Sequence, residues 1–441
     1  MDSNDPTTVS CAFKQRLFRD TPKIDSKELL SFARFVGKYV RSHYDRVEPL
    51  GFEEWLEGTS YNEQRKEQLR KIRSDDEFCR PTIKRCQHID TFVKTESYPE
   101  YKHARMINSR CDSFKVWSGP WFKAIEKMVY ADHHFIKHVP VKDRPALING
   151  LKQAGLHYFE TDYTSFEASF APSLMRACEC QLYSHAMGYT EDSKFLNAVI
   201  TGPNKMRTRS GCKATVRGRR MSGDMCTSLG NGFTNLMLAL YFADKHGLVL
   251  DGYVEGDDGI FATKDVLRSA DFAKLGFNIK IKEVDDPCCA SFCGMVFSDS
   301  GEIIREPRDF LANFAWTSSF INGSDKLMQQ LLRAKALSCV YETPQCPIVG
   351  ALARIALHNT TGVVPRFVSD GYHVPHDVRN VPEFCPSNQT RELFEHLYGI
   401  SVDAQLLIED LITKEDMDGV ASALPPSNDM FGFSLAYQEM G

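Results

Sequence analysis

Tyr253-Val254-Glu255-Gly256-Asp257-Asp258-Gly259-Ile260-Phe261 sets two apolar, β-prone runs around a pair of carboxylates bracketed by glycine. The pattern predicts a tight hairpin with Asp257 and Asp258 at its tip. Adjacent acids on a turn repel each other, so folding alone gains little from them. A divalent cation offsets that repulsion through hard oxygen ligands. A solvated acidic turn is the plainer alternative, and the rest of the chain must decide between the two.

Upstream, Leu156–Asp162 reads as an apolar strand that ends in a carboxylate, with a helix predicted over Ser173–Tyr183. An acid at the C-terminal end of a strand can point out of the sheet edge, although Asp162 would serve equally as a helix cap. Asn204–Arg220 carries Lys205, Arg207, Arg209, Lys213, Arg217, Arg219 and Arg220 without a single acid. Met221–Asn231 is a small, polar, glycine-bearing loop feeding a helix predicted over Gly232–Lys245. Such a loop offers backbone N–H groups and hydroxyls to an anion or a sugar. Nearer the N-terminus, Thr91–Glu96 reads as a strand, Ser97-Tyr98-Pro99 as a turn, and Lys102–Ile107 as a partner strand. Their alternation of basic and apolar residues suits one face turned toward phosphate.

The remaining chain is mainly helical in pattern. Helices are expected from Ser26 with Asp25 or Ser26 as cap, from Phe52, and over Arg65–Arg73. Downstream of the hairpin the reading is a helix over Val266–Leu275, a strand over Phe277–Lys282, and a strand pair from Ser291. Helices follow over Asp325–Val340, Pro347–His358, Thr390–Leu397 and Asp403–Thr413, and Ala421–Gly441 reads as a loose tail.

The 441 residues are 42% hydrophobic and 25% charged, with a formal net charge of −5, as in an ordinary soluble globular protein. Net charge gives no hint of a polyanion, but the concentrated basic strip does. The longest apolar run, Phe233–Ala243, is too short to span a bilayer. No cleavable signal peptide is evident. The expectation is a soluble protein that meets membrane only indirectly. The 14 scattered cysteines fit a reducing, cytosolic setting. Cys86-x-His88, Cys178-x-Cys180 and Cys288-Cys289 with Cys293 each offer a start for zinc, but without paired C-x-x-C spacing they read as buried thiols.

Nucleotidyl transfer needs two divalent metals held by carboxylates that meet at one sheet edge. Asp162 on one strand and Asp257-Asp258 on a hairpin are suitable suppliers. The basic strip can hold a nucleic-acid backbone, and the Ser/Thr/Asn loop can read a ribose.

In that order the segments resemble the motifs of a viral RNA-dependent RNA polymerase of a positive-strand RNA virus, most closely the tombusvirus-like group. Phe92–Glu96 with Ala104–Ile107 resembles motif F, Asp162–Glu167 motif A, and Arg219–Asn231 motif B. Gly256-Asp257-Asp258 resembles motif C, Gly276–Glu283 motif D, and Ser291–Gly294 motif E. The resemblance implies that Asp162, Asp257 and Asp258 are catalytic and ligate Mg²⁺ or Mn²⁺. It implies that Lys94 and Arg105 contact the triphosphate, and that Glu167, Ser222, Gly223, Thr227 and Asn231 serve ribose and template selection. Lys280 and Lys282 are both candidates for the general acid that protonates pyrophosphate. Glu167 stands where the family usually has Asp, and Glu255 stands where close relatives carry a polar amide. The first departure bears on exclusion of deoxynucleotides, the second on metal affinity.

The implied fold class is α/β (α+β), a right-hand polymerase with fingers, an antiparallel-sheet palm and a helical thumb. Fingers are expected from 1–155 with an insertion over about 176–218, the palm from 156–305 and the thumb with a C-terminal tail from 306–441. The implied partners are RNA template, nascent RNA, ribonucleoside triphosphates and other viral replication proteins. The implied location is the host cytoplasm, at membrane-associated replication complexes. Two other readings are a catalytically inactive RNA-binding scaffold of polymerase shape and a reverse transcriptase. Retention of the three aspartates with Arg105 opposes the first, and the Ser-Gly-x-x-x-Thr-x-x-x-Asn loop opposes the second.

Overall fold

Several helix starts follow their side-chain caps. Asp25 accepts hydrogen bonds from the N–H groups of Lys27 and Glu28 and opens the Ser26–His43 helix. Asn62 does the same for Glu63–Arg73, and Ser324, Ser387 and Ser401 for three helices downstream. Each cap satisfies an N–H that has no intrahelical partner, for about 1 kcal/mol. These elements belong to a computed structural model that describes residues 5–74, 80–94, 103–311, 313–314, 317, 320, 322–367 and 381–424. Thr95, Glu96, the predicted Ser97–Pro99 turn and the tail beyond Leu424 lie outside the described residues. The chain divides into two compact units, one of residues 1–94, 103–138 and 153–283, the other of 95–102, 139–152 and 284–441.

The first unit holds two four-stranded sheets. One comprises β1 (His88–Val93), β2 (Met106–Arg110), β4 (Pro203–Thr208) and β5 (Lys213–Arg217), ordered β2-β1-β4-β5. All its pairs are antiparallel except β1 with β4. Period-two alternation sends Ile89, Val93, Met106, Met206 and Val216 to one face, where they pack on Val9, Ala12 and Phe13 of the Pro6–Arg16 helix. The opposite face exposes Lys205, Arg207, Lys213 and Arg217. Arg207 stands directly across from Lys213, a like-charge pairing that costs stability.

The other sheet is ordered β6-β7-β3-β8, from β3 (His157–Tyr163), β6 (Leu250–Glu255), β7 (Asp258–Thr263) and β8 (Ile279–Val284). The Thr227–Lys245 helix is apolar nearly all round, with Leu229, Phe233, Leu236, Leu238 and Phe242 buried, and it forms the centre of the core that also includes Phe159, Val254 and Phe261. A helix of that composition is stable only when enclosed.

Several expected boundaries move. The Thr227–Lys245 helix starts five residues before Gly232, because the Thr227 hydroxyl donates to the carbonyls of Met221 (2.9 Å) and Asp224 (2.8 Å) and ties down the incoming loop. The Ser173–Tyr183 helix is two helices, Pro172–Ala177 and Glu179–Ala186, broken at Cys178, where φ is −119° and ψ −98°. The helix expected over Val266–Leu275 shrinks to Ser269–Ala273. Lys102, the expected start of the partner strand, lies outside the described residues, and β2 runs over Met106–Arg110.

In the second unit, the strand pair expected from Ser291 is confined to β9 (Val296–Phe297) against β10 (Ile303–Ile304), with Phe292 and Met295 forming a single bridge before it. The helices Asp325–Glu342, Val349–Asn359, Asn388–Tyr398, Val402–Thr413 and Met417–Ala423 share one core around Val340, Ile348, Phe394 and Ile408. The last of these replaces the first residues of the expected tail. No helix among the described residues is long and apolar enough to cross a membrane. Mixed helices and mainly antiparallel sheets agree with the expected α/β class.

One helix contact yields a direct prediction. Glu28 accepts hydrogen bonds from Tyr241 (2.6 Å) and Lys245 (2.6 and 2.7 Å) of the central helix. Burial raises the Glu28 pKa, but these partners outweigh it and the net shift is downward. A carboxylate depressed on folding contributes stability above its unfolded pKa of about 4.3, and that contribution is lost as pH falls through the folded value. Glu28→Gln should therefore cost about 0.5–1 kcal/mol at pH 7 in chemical denaturation, with a smaller deficit at pH 3.

Candidate active site

The hairpin forms as its sequence requires. β6 and β7 pair antiparallel from Leu250↔Thr263 to Glu255↔Asp258, leaving Gly256 and Asp257 as a two-residue turn. Gly256 takes φ +63°, which glycine adopts at no steric cost in such turns. Asp257 thus stands alone at the tip, and Asp258, expected beside it, opens β7. On the other side β7 pairs with β3, Phe159↔Phe261 and Thr161↔Gly259. Asp162 follows Thr161 and Asp258 precedes Gly259, so both acids stand at the same end of the paired strands. Asp162 is not a helix cap: it is the penultimate residue of β3, and its side chain reaches solvent.

The charges act on one another. Asp257 opens to solvent at its tip but is closely hemmed by protein, and that dehydration raises its pKa. Asp162 adds to the rise, while the Asp257 backbone N–H, Arg105 and Arg16 oppose it. Glu167 is likewise raised, first by burial and then by Asp257, against Arg105, Arg220 and Arg16. Asp162, Asp257, Glu167 and Arg105 thus share one electrostatic neighbourhood. Lys94 extends the β1–β2 ladder, its N–H donating to the Arg105 carbonyl at 2.8 Å.

The three aspartates do not converge to single-ion ligand spacing. Two tighter groups among the described residues do, Asp132-His133-His134 and Asp286-Cys288-Asp299. Both have internal partners. Asp132 accepts from the hydroxyls of Tyr39 (3.1 Å) and Tyr44 (3.2 Å). Between Asp286 (2.9 Å) and Asp299 lies the Lys152 ammonium, a cation supplied by the chain. At the hairpin, the like charge of Asp162 raises the Asp257 pKa, and hard carboxylate oxygens from a strand and the adjoining turn are a donor set that fits Mg²⁺ or Mn²⁺.

The expected sugar-reading loop is held mainly by its own protein contacts. The Ser222 hydroxyl donates to the Met106 carbonyl (2.7 Å) and accepts from Asn108 (3.4 Å). Gly223 N–H donates to the Asn108 carbonyl at 3.0 Å, and a Cβ on Gly223 would lie 2.7 Å from that oxygen. Beneath the loop, Asp224 forms a buried ion pair with Arg110, with bonds of 2.8, 3.1 and 2.9 Å. Asn231 is buried, and its Oδ1 accepts from Arg220 Nε at 3.1 Å. Since guanidinium only donates, the Asn231 oxygen must face Arg220, which fixes the orientation of the amide.

The basic strip divides in two. Lys205, Arg207, Arg209, Lys213 and Arg217 are exposed. Arg219 turns inward to the Phe170 carbonyl (3.1 Å), and Arg220 is 2% exposed, paired with the buried carboxylate of Glu179 and stacked over Phe170 at 4.5 Å. Sequence reading placed both among the phosphate contacts and missed Glu179 altogether. It also missed Arg16, which acts on Asp257 and Glu167, and Arg19, whose guanidinium donates to Ser165 Oγ at 3.3 Å. The run Lys14-Gln15-Arg16-Leu17-Phe18-Arg19 was the available signal.

Of the two candidate lysines, Lys282 donates to Glu160 at 3.1 Å. Lys280 lies between that contact and the Thr164 N–H to Asn278 carbonyl bond of 2.9 Å, level with Asp162, and makes no ion pair among the described residues.

A profile of the family described as viral RNA-dependent RNA polymerase matches residues 111–342. No match was found among curated proteins. The matched span is more than half of the chain and takes in both β3 and the β6–β7 hairpin, so that the chain belongs to the viral RNA-dependent RNA polymerases.

Proposed function

We propose that this protein carries out template-directed RNA synthesis by two-metal nucleotidyl transfer, replicating and transcribing the genome of a positive-strand RNA virus of the tombusvirus-like group. The observation that carries this reading is the pairing of β3 with β7, which brings Asp162 to the end of the sheet where Asp257 stands. Two divalent cations, Mg²⁺ or Mn²⁺, would activate the 3′-hydroxyl and neutralise the leaving pyrophosphate. Asp162 and Asp257 hold the cations, with Asp258 alongside. Arg105 and Lys94 meet the triphosphate. Asn231, turned by Arg220, offers N–H donors toward the sugar, where a 2′-hydroxyl can accept. Ser222, Gly223 and Thr227 fix the loop that carries it, and Glu167 completes the polar lining. The exposed cations of β4 and β5 provide a path for RNA phosphates.

In this reading residues 1–155 with the insertion near 176–218 are fingers, 156–305 palm and 306–441 thumb. The enzyme works in the host cytoplasm with other viral replication proteins, at membranes it meets only indirectly. Incorporation of ribonucleotides on primed and unprimed RNA templates with Mg²⁺ or Mn²⁺ tests the reading. Product on neither template, with either metal, sinks it and favours a scaffold.

Lys280 is the better placed general acid, because Lys282 is committed to Glu160. Lys280→Ala should lower the incorporation rate by about 10²-fold with little change in nucleotide KM, while Lys282→Ala should change it less than about threefold. Single-nucleotide quench-flow measurements decide this, and equal losses in the two variants would refute the assignment.

A further inference from the structure

The carboxylate hairpin is anchored from below by one buried side chain. Asn235 lies on the Thr227–Lys245 helix, one turn beyond Asn231, and is fully buried. Its Nδ2 donates to the Asp258 carbonyl at 3.0 Å and, more weakly, to the Gly256 carbonyl at 3.4 Å. Its Oδ1 accepts from the Tyr163 hydroxyl at 3.1 Å. The amide thus touches the backbone on both sides of Asp257 and the side chain of the residue next to Asp162. Tyr163 is itself immobilised, with its ring against Phe166 (4.4 Å between centroids), Phe277 (5.7 Å) and Phe272 (6.3 Å). The turn also lies close on the helix at Gly232, where an added Cβ would come within 3.5 Å of the Gly256 nitrogen.

We propose that Asn235, acting through Tyr163, is a positioning residue that sets the separation of Asp162 and Asp257 and thereby their affinity for divalent cations. The inference rests on the reading of those two acids as the cation-binding pair. The chemistry singles out an amide. Two backbone carbonyls need a donor and a tyrosine hydroxyl needs an acceptor, within one short buried side chain. Aspartate in its place would set a carboxylate oxygen against carbonyl oxygens. Leucine has the right volume but removes all three of these hydrogen bonds, and losing hydrogen bonds at a buried side chain is costly. Two mutually repelling carboxylates, one on β3 and one on the β6–β7 turn, drift apart unless the backbone beneath them is held. Groups that orient metal ligands in this way typically control affinity by about 10–100-fold.

The test is direct Mn²⁺ binding to the full-length protein without nucleotide, read by electron paramagnetic resonance, alongside the Mg²⁺ concentration that half-saturates RNA synthesis. Asn235→Leu should weaken Mn²⁺ binding by at least about tenfold and raise the half-saturating Mg²⁺ in parallel. Maximal rate should be partly restored at high Mn²⁺, and RNA retention on filters should be unchanged. Tyr163→Phe removes one hydrogen bond and leaves Asn235 its ties to the turn. It should shift both readouts in the same direction by about two- to fivefold, and it keeps the test decisive if Asn235→Leu folds poorly. Wild-type Mn²⁺ affinity in Tyr163→Phe, and in a folded Asn235→Leu, overturns the inference when Asp257→Asn does weaken binding. If Asp257→Asn leaves binding intact, the carboxylate reading itself fails, and this inference with it.

Discussion

Asp257→Asn should lower nucleotide incorporation by at least about a thousand-fold, a loss of about 4 kcal/mol of transition-state stabilisation, while the metal-free protein melts at the same temperature as wild type or higher. The two halves of this expectation have one cause. Folding dehydrates Asp257 and sets it near Asp162, and both effects raise its pKa. An acid whose folded pKa lies above its unfolded value opposes folding once it ionises. Its penalty is absent below the unfolded pKa of about 3.9, grows as pH rises toward the folded pKa, and stays constant above that. Asparagine keeps the shape and removes the penalty, so stability at pH 7 holds or increases. In the proposed reading the same charge binds a cation, so wild type should gain melting temperature on adding Mg²⁺ or Mn²⁺, and Asp257→Asn should gain much less. A variant that is both inactive and unfolded would leave the loss of activity without a catalytic cause. One that retains a tenth of wild-type activity would remove Asp257 from the chemistry. Gains in stability from removing active-site charge are the ordinary sign of a site built for function.

What the sequence made legible follows the range of the interactions. The hairpin was readable because its determinants are adjacent: two β-prone runs, a glycine able to take φ +63°, and a short loop. Local pattern placed Asp162 on a strand, but its place beside Asp257 came only from the expected chemistry and the family resemblance, since the β3–β7 register joins segments about a hundred residues apart. The helix start at Thr227 was misread as loop because Ser, Thr and Gly suit both, and only the Thr227 hydroxyl bonds to the Met221 and Asp224 carbonyls decide. Arg220 was misread as a surface cation because its partner Glu179 lies 41 positions away, on a helix. Arg16 and Arg19 went unnoticed because nothing local separates a solvated cation from one that faces a carboxylate. Local chemistry therefore predicted the elements, and the hidden part of the site is the set of charges that long-range packing turns inward.

Arg220 and Glu179 lead to the second large expectation. Glu179→Gln should destabilise the protein by about 3–5 kcal/mol, whereas Arg220→Met should cost less at low pH than at high pH. Both groups are buried, and each depends on the other. Burial works against the Arg220 charge, but the Glu179 carboxylate outweighs it and the guanidinium pKa is raised. Arginine cannot shed its proton, so Glu179→Gln leaves an enclosed cation without its partner carboxylate, in contact with Asn231, Cys226 and the Phe170 face. Glutamate has an escape. Burial already pushes its pKa up against the pull of Arg220, and without Arg220 it takes up a proton. The stability of Arg220→Met should therefore decline from the unfolded glutamate pKa of about 4.3 up to the new folded value, a slope measurable by urea denaturation between pH 5 and 8. Glu179→Leu with Arg220→Met should recover most of the stability, since apolar replacement of a buried ion pair is often neutral. It should not recover function. Asn231 would lose the donor that turns its oxygen inward, and its amide could then rotate within the site. In the double variant, ribonucleotide preference over deoxyribonucleotides should fall about tenfold, as for one lost hydrogen bond of 1–1.5 kcal/mol, in a protein that folds. Full recovery of discrimination would show that Asn231 is oriented by something other than Arg220.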